Sequence, residues 1–162
     1  MPGINLSGTP ALPKTHVSIA ELERRIAAGA QEILDTITTP PIHRIVLPYT
    51  RANELLNANQ RQHWAQRNKV TQHWRERAAW AAKEAKIPHL ERAHILMHIG
   101  FADKRRRDVH NFYLTGKAIV DGLVDAGVLP DDNDAHLVGP DMRPHLERVR
   151  AIVVEIYPLA VA

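Results

Sequence analysis

The chain has 162 residues, 44% of them hydrophobic and 5% aromatic, with no cysteine and a net charge of +3 from 21 Lys and Arg against 18 Asp and Glu. That length suits one domain able to bury a core without crosslinks or a structural metal. The charge balance excludes a histone-like polycation. The lack of cysteine excludes a disulfide framework, a thiolate zinc site and a thiol nucleophile, in keeping with a reducing, cytoplasmic setting.

Residues Met1 to Lys14 are rich in Pro, Gly and small side chains and read as a leader. They lack a basic segment followed by an apolar one, and the chain has no apolar run of about 18 residues, so neither a signal peptide nor a membrane span is expected. Ser18 and Glu21 form a capping-box pattern, and Ile19, Leu22, Ile26, Ile33 and Ile37 recur near helical spacing, which predicts a helix closed by Pro40-Pro41. Two readings of this helix stand side by side. It is a docking or dimer helix, or it covers the domain's own apolar surface.

Ile42 to Leu47 is β-branched, bounded by prolines, and reads as a first strand. Asn53 to Asn59 is turn-like. Gln60 to Lys86 reads as a long helix with Trp74, Ala78, Ala81 and Ala85 on one stripe, stopped by Pro88. Arg61, Arg67 and Lys69, interleaved with Trp64, Trp74 and Trp80, fit a nucleic-acid face in which rings stack on bases and cations meet phosphates. Trp74 sits on the apolar stripe and reads as core; Trp64 divides evenly between the two roles.

Arg92 to Phe101 alternates cleanly, with Ala93, Ile95, Met97, Ile99 and Phe101 on one face. At about 3.3 Å per residue, His94 and His98 lie roughly 13 Å apart on a strand, too far to share an ion with bonds of about 2.1 Å, so both are expected on the sheet surface. Asn111 is placed to cap a helix running to Ala126, with Gly127 as its stop and Phe112, Gly116, Ile119, Leu123 and Ala126 facing the core. If His110 continues the helical path it shares a face with Lys117, and Asp121 is placed to pair with Lys117 four residues on. Ala135 to Gly139 reads as a brief strand, and Arg148 to Tyr157 as a strand covered on much of both faces. This order predicts an α+β fold with a single mixed β-sheet packed by helices and an extra N-terminal helix. The expected division is a leader and appended helix over 1–40 and the main domain over 41–162.

Chemistry concentrates in the run Asp103-Lys104-Arg105-Arg106-Arg107-Asp108-Val109-His110-Asn111, in Lys117, and in the turn Asp131-Asp132-Asn133-Asp134. Carboxylates alone read as a solvated face and bases alone as a phosphate contact; a site holding a divalent ion against a phosphodiester needs both. An EF-hand starting at Asp132 fails, because Leu137 stands where its glycine belongs and no Glu stands at its twelfth place. No P-loop and no nucleophile elbow occurs. A solvated charged loop remains the plain alternative.

The basic run into Asp108-Val-His110-Asn111, the segment from Lys117 to Gly127 with its Ala-Gly turn, and the pair Asp131-Asp132 resemble the signature of the RusA family of Holliday-junction resolvases. The resemblance covers about Ile42 to Tyr157 and is most specific from Lys104 to Asp132; residues before Pro40 have no counterpart in it. It implies a dimeric, Mg²⁺-dependent endonuclease that nicks four-way DNA junctions symmetrically, with Mn²⁺ as a second possible metal. By position it implies Asp108, His110, Lys117 and Asp132 as catalytic residues. The implied metal ligands are Asp108, His110, Asp131 and Asp132. Lys104, Arg105, Arg106, Arg107 and Asn111 are implied DNA contacts, joined by Arg61, Arg67 and Lys69 from the long helix. His110 departs from the aspartate found in many members, which removes one negative charge and favours softer ions such as manganese. The segment between Asn111 and Lys117 is also longer than in the short form of the family. The rival reading is a branched-DNA-binding protein without catalysis. A third makes the N-terminal helix a handle for a replication, recombination or phage partner.

Overall fold

The computed structural model describes residues 18–38, 43–61 and 63–160. Helix α1 (Ile19–Thr38) starts at Ser18, whose hydroxyl accepts from the Glu21 backbone N–H at 3.2 Å, as the capping pattern requires. The leader and Pro40-Pro41 lie outside the described residues. Four strands follow, β1 (His43–Pro48), β2 (Ala93–Ile99), β3 (Leu137–Pro144) and β4 (Ala151–Pro158), interrupted by helices α2 (Trp64–Glu84) and α3 (Tyr113–Asp125). They form one mixed sheet in the order β1-β4-β2-β3, in which β2 and β3 run parallel and the other pairs antiparallel. The fold is therefore α+β, as the element order implied.

β4 lies between β1 and β2, which is why seven of its eight residues had to be apolar enough to be covered or edge the core. Register places Ile45 opposite Val154 and Ile95 opposite Ile156, so alternate residues of three strands point to one face. That face packs against Trp74 and Ala78 of α2 and Ile119 and Leu123 of α3, all fully buried. Trp74 anchors this layer twice over. Its ring fills the core, and its indole N–H donates to the Glu54 carbonyl at 2.6 Å, tying α2 to the loop before it.

Several local expectations are corrected. α2 begins at Trp64 rather than Gln60, because the residues before it close a turn of their own: Asn59 N–H donates to the Asn57 side chain and Gln60 N–H to the Asn57 carbonyl. Its buried stripe is Trp74, Ala78 and Ala82; Ala85 caps the helix and is exposed. β3 extends to Pro144 rather than ending at Gly139, since pairing with β2 resumes after a register shift, with Leu96 opposite Asp141. His94 is not on the sheet surface. It is 1% exposed, with its Nε2 2.6 Å from the Asp141 carboxylate.

α3 also starts differently from the expectation. Asp108, not Asn111, does the capping: its carboxylate accepts from the His110 N–H at 3.0 Å and opens a 3₁₀ turn, Val109–Phe112, which leads into α3. Asn111 instead serves through its backbone, its carbonyl accepting from Ala58 N–H at 2.8 Å. At the far end Ala126 caps α3 and Gly127 takes φ 77°, a left-handed conformation that favours glycine, as expected.

Candidate functional site

Lys117 lies in the second turn of α3, on the side away from the core stripe. Its ammonium donates to Asp132 Oδ2 at 2.6 Å and to Asp121 Oδ1 at 3.1 Å. The Asp121 contact is the i, i+4 pair that the sequence allowed. The Asp132 contact is tertiary, made because the chain turns at Gly127 and returns along α3 before entering β3. The pair is mutually reinforcing: the ammonium hydrogen-bonded to Asp132 holds its carboxyl below the ordinary carboxylate range, and the same bond holds Lys117 above the ordinary lysine value. Both groups keep solvent access, with side chains 57% and 36% exposed, so the pair is reachable by a ligand.

Asp131 faces inward on its own turn. One oxygen accepts from the Asp132 N–H and the other from the Asn133 side chain, both at 2.8 Å, so its work in this arrangement is to shape the turn that presents Asp132. Beside Lys117 lies a shallow depression lined by Leu56, Arg67, Thr71, Leu114, Lys117, Ala118 and Asp121. Thr115, fully buried, holds its wall in place by accepting from the Leu56 N–H at 2.8 Å. Arg67 therefore lines the same depression as Lys117. Lys69, two residues further on, stands roughly 200° around the helix and is not brought to this depression. Arg61 is exposed in the loop before α2.

The basic run divides into two kinds of residue. Lys104, Arg105 and Arg106 are exposed. Arg107 is not a free cation: its guanidinium clasps both Asp103 oxygens and stacks over the Phe101 ring at 4.4 Å. The Arg107 guanidinium bonded to it holds the Asp103 carboxyl well below the usual carboxylate range. The clasp closes the loop and aims its three other bases outward. Tyr49 supports the same loop by donating its hydroxyl proton to the Gly100 carbonyl, and burial pushes that hydroxyl up to about 12. A groove next to the clasp is lined by Arg105, His145 and Arg148 among others, which extends the basic surface to the segment before β4.

Asp108 and His110 are exposed at the N-terminal entry to α3, joined by the bond from the His110 N–H. Among the described residues no three His, Cys, Asp or Glu side chains converge as a metal-binding group. Asp108, His110, Asp131 and Asp132 are thus not gathered as one ligand set; the two carboxylates that do converge, Asp132 and Asp121, both accept from the Lys117 ammonium. Asp121 was read from the sequence only as a helix pair for Lys117. That it lines the depression with Arg67 and Thr71 required the crossing of α2 and α3. No helix among the described residues is long and apolar enough to cross a membrane. Comparison with known proteins finds no matching family model and no matching curated relative.

Proposed function

We propose that this chain is a metal-dependent endodeoxyribonuclease that resolves four-way or otherwise branched DNA in the cytoplasm as a homodimer. The observation that carries the reading is Lys117 held between Asp132 and Asp121 beside Arg67, on the helix that follows an exposed run of three bases, Lys104 to Arg106. A bare charged loop has no need of a buried threonine shaping its wall or a turn folded to present one carboxylate.

Arg67, Lys104, Arg105 and Arg106 bind backbone phosphates and set the duplex in register. Lys117, already hydrogen-bonded to a carboxylate, offers a proton-bearing cation to the oxygen on which charge develops. Asp132 and Asp121 keep that ammonium oriented; Asp108 shapes the entry to α3. Asp132 and Asp108, with Asp131 and His110, would hold Mg²⁺ or Mn²⁺ once drawn together by DNA or by the second copy, since they do not converge in the single chain; the ion would then supply an activated water and neutralise phosphate charge. Two symmetric cuts require two equivalent sites, hence a two-fold assembly.

The test is cleavage of a synthetic four-way junction with Mg²⁺ or Mn²⁺ supplied. The wild-type chain cuts, and Asp132→Asn abolishes cutting while retaining junction binding; equal cutting by the variant removes Asp132 from the chemistry. The second reading, a junction-binding protein without catalysis, is favoured by His110 in place of a carboxylate and by the closure of both Asp131 oxygens within their turn. It is selected if no metal supports cutting by the wild type and His110→Asp alone restores it.

A further inference from the structure

Helix α1 leaves its apolar side chains in solvent. Ile19, Leu22, Ile26 and Ile33 are 78%, 52%, 63% and 39% exposed. Their spacing is that of a heptad seam, isoleucine at 19, 26 and 33 and leucine at 22. Gly29 takes the next seam position, and a Cβ built there meets nothing within 4 Å. Glu32 ties α1 to the body by accepting from Arg92 at 2.6 Å. A helix of 20 residues, about 30 Å long, draws most of its stability from burying such a stripe, which the described residues of this chain leave exposed.

We infer that α1 pairs with α1 of a second copy of this chain as an antiparallel two-helix seam. Antiparallel heptads set each isoleucine position against a leucine position of the other helix. Here that lays Ile26 over Gly29 and Leu22 against Ile33, large against small at the centre and apolar against apolar beyond it. The same register brings Arg25 of each chain, which within its own helix pairs with Glu21 at 3.0 Å, beside Glu32 of the other. Glu32, already accepting from Arg92 of its own chain, would there face the Arg25 guanidinium of the second chain, an opposite charge across the seam. Parallel pairing lacks both features: it sets Gly29 against Gly29, leaving a gap, and puts Arg25 beside Ala30. An isologous contact of this kind closes on itself as a dimer and uses no residue of the candidate site. The inference stands on α1 alone and does not depend on the nuclease reading, although it supplies the second copy which that reading requires.

The experiment uses the full chain in sedimentation velocity across the micromolar range. Wild type is expected to be dimeric, and Ile26→Asp to raise the dimer dissociation constant at least about tenfold, a step of 1.4 kcal/mol. Leu22→Asp should do the same, with far-ultraviolet circular dichroism of the body preserved. A wild-type chain that stays monomeric overturns the inference, as does a dimer indifferent to both substitutions. Orientation is read by crosslinking, since the chain has no cysteine of its own. Oxidising a mixture of Leu22→Cys and Ile33→Cys chains should link one kind to the other. Two positions 22 in an antiparallel pair lie about 16 Å apart along the axis, so linkage within Leu22→Cys chains alone marks a parallel pair and overturns the proposal.

Discussion

Two ion pairs that look alike on paper do different work at the residue scale. Arg107 with Asp103 is an internal clasp, backed by the Phe101 ring and, on the arginine side, only 19% exposed. Lys117 with Asp132 is open to solvent and to ligand. Substituting Arg106 and Arg107 separately should expose the difference. Arg106→Ala should weaken DNA binding across sequences and lower the salt slope of the affinity by about 1, with thermal stability unchanged. Arg107→Ala should lower the melting temperature as the loop opens, by a ΔΔG of about 1 kcal/mol. Identical effects from the two would show that the clasp has no structural share.

The Lys117–Asp132 pair also predicts a pH dependence. Asp132 has its folded pKa lowered, so the stability it lends is present at neutral pH and is lost as pH falls through that lowered value, below about pH 4. Lys117 has its pKa raised, so its share persists until pH rises past the ordinary lysine value, about 10.4. A solvent-open pair contributes about 0–1 kcal/mol, so the sharper readout is the site itself rather than global unfolding. A carbon-detected NMR titration of Asp132 should show its midpoint climbing toward the ordinary aspartate value in Lys117→Met. A midpoint indifferent to that substitution would mean the bond is not formed in solution.

At the scale of elements, the site depends on how closely α2 and α3 approach. Gly122 makes that approach possible. A Cβ at this position would sit 2.2 Å from the Arg75 carbonyl oxygen and 2.9 Å from the Ala78 Cβ. The first of these is backbone, which cannot swing aside. Arg75 and Asp125 then bolt the crossing from outside with a bidentate pair, and this pair holds the Asp125 carboxyl below its usual range. Gly122→Ala gains about 1 kcal/mol of helix propensity but forces the helices apart, for a net loss of about 1–3 kcal/mol in urea denaturation. The same shift would carry Arg67 away from Lys117, so the variant should lose activity beyond its loss of stability. A stabilised variant would contradict the close crossing.

For the molecule as a whole, the helices α2 and α3 cover one face of the sheet, the candidate site lies where they cross, and α1 is tied to the body through Glu32 and Arg92 with its apolar stripe exposed. The proposed site and the proposed seam share no residue. The seam can be broken without touching the site, and the site can be mutated without touching the seam. That separation makes the two proposals independently testable.

What could be read along the chain was whatever repeats locally. The alternation from Ala93 to Ile99 gave β2, the Ser18 cap gave the start of α1, Gly127 gave the end of α3, and the apolar run of β4, broken at Glu155, implied a strand covered on much of both faces. From these followed the α+β class. Three things were not local and were not legible. His94 appeared to be a surface residue, because nothing in its own strand indicates that β3 continues past Gly139 and carries Asp141 to it. Arg107 appeared as one base among four, because the clasp to Asp103 depends on a loop closing on itself against Phe101. Asp132 and Lys117 were linked by a motif resemblance, and their hydrogen bond exists only because the chain reverses at Gly127; Arg67 joins them only through the crossing at Gly122. Periodicity is a property of neighbours in sequence, so it specifies elements; a site is made of neighbours in space, and those are chosen by packing.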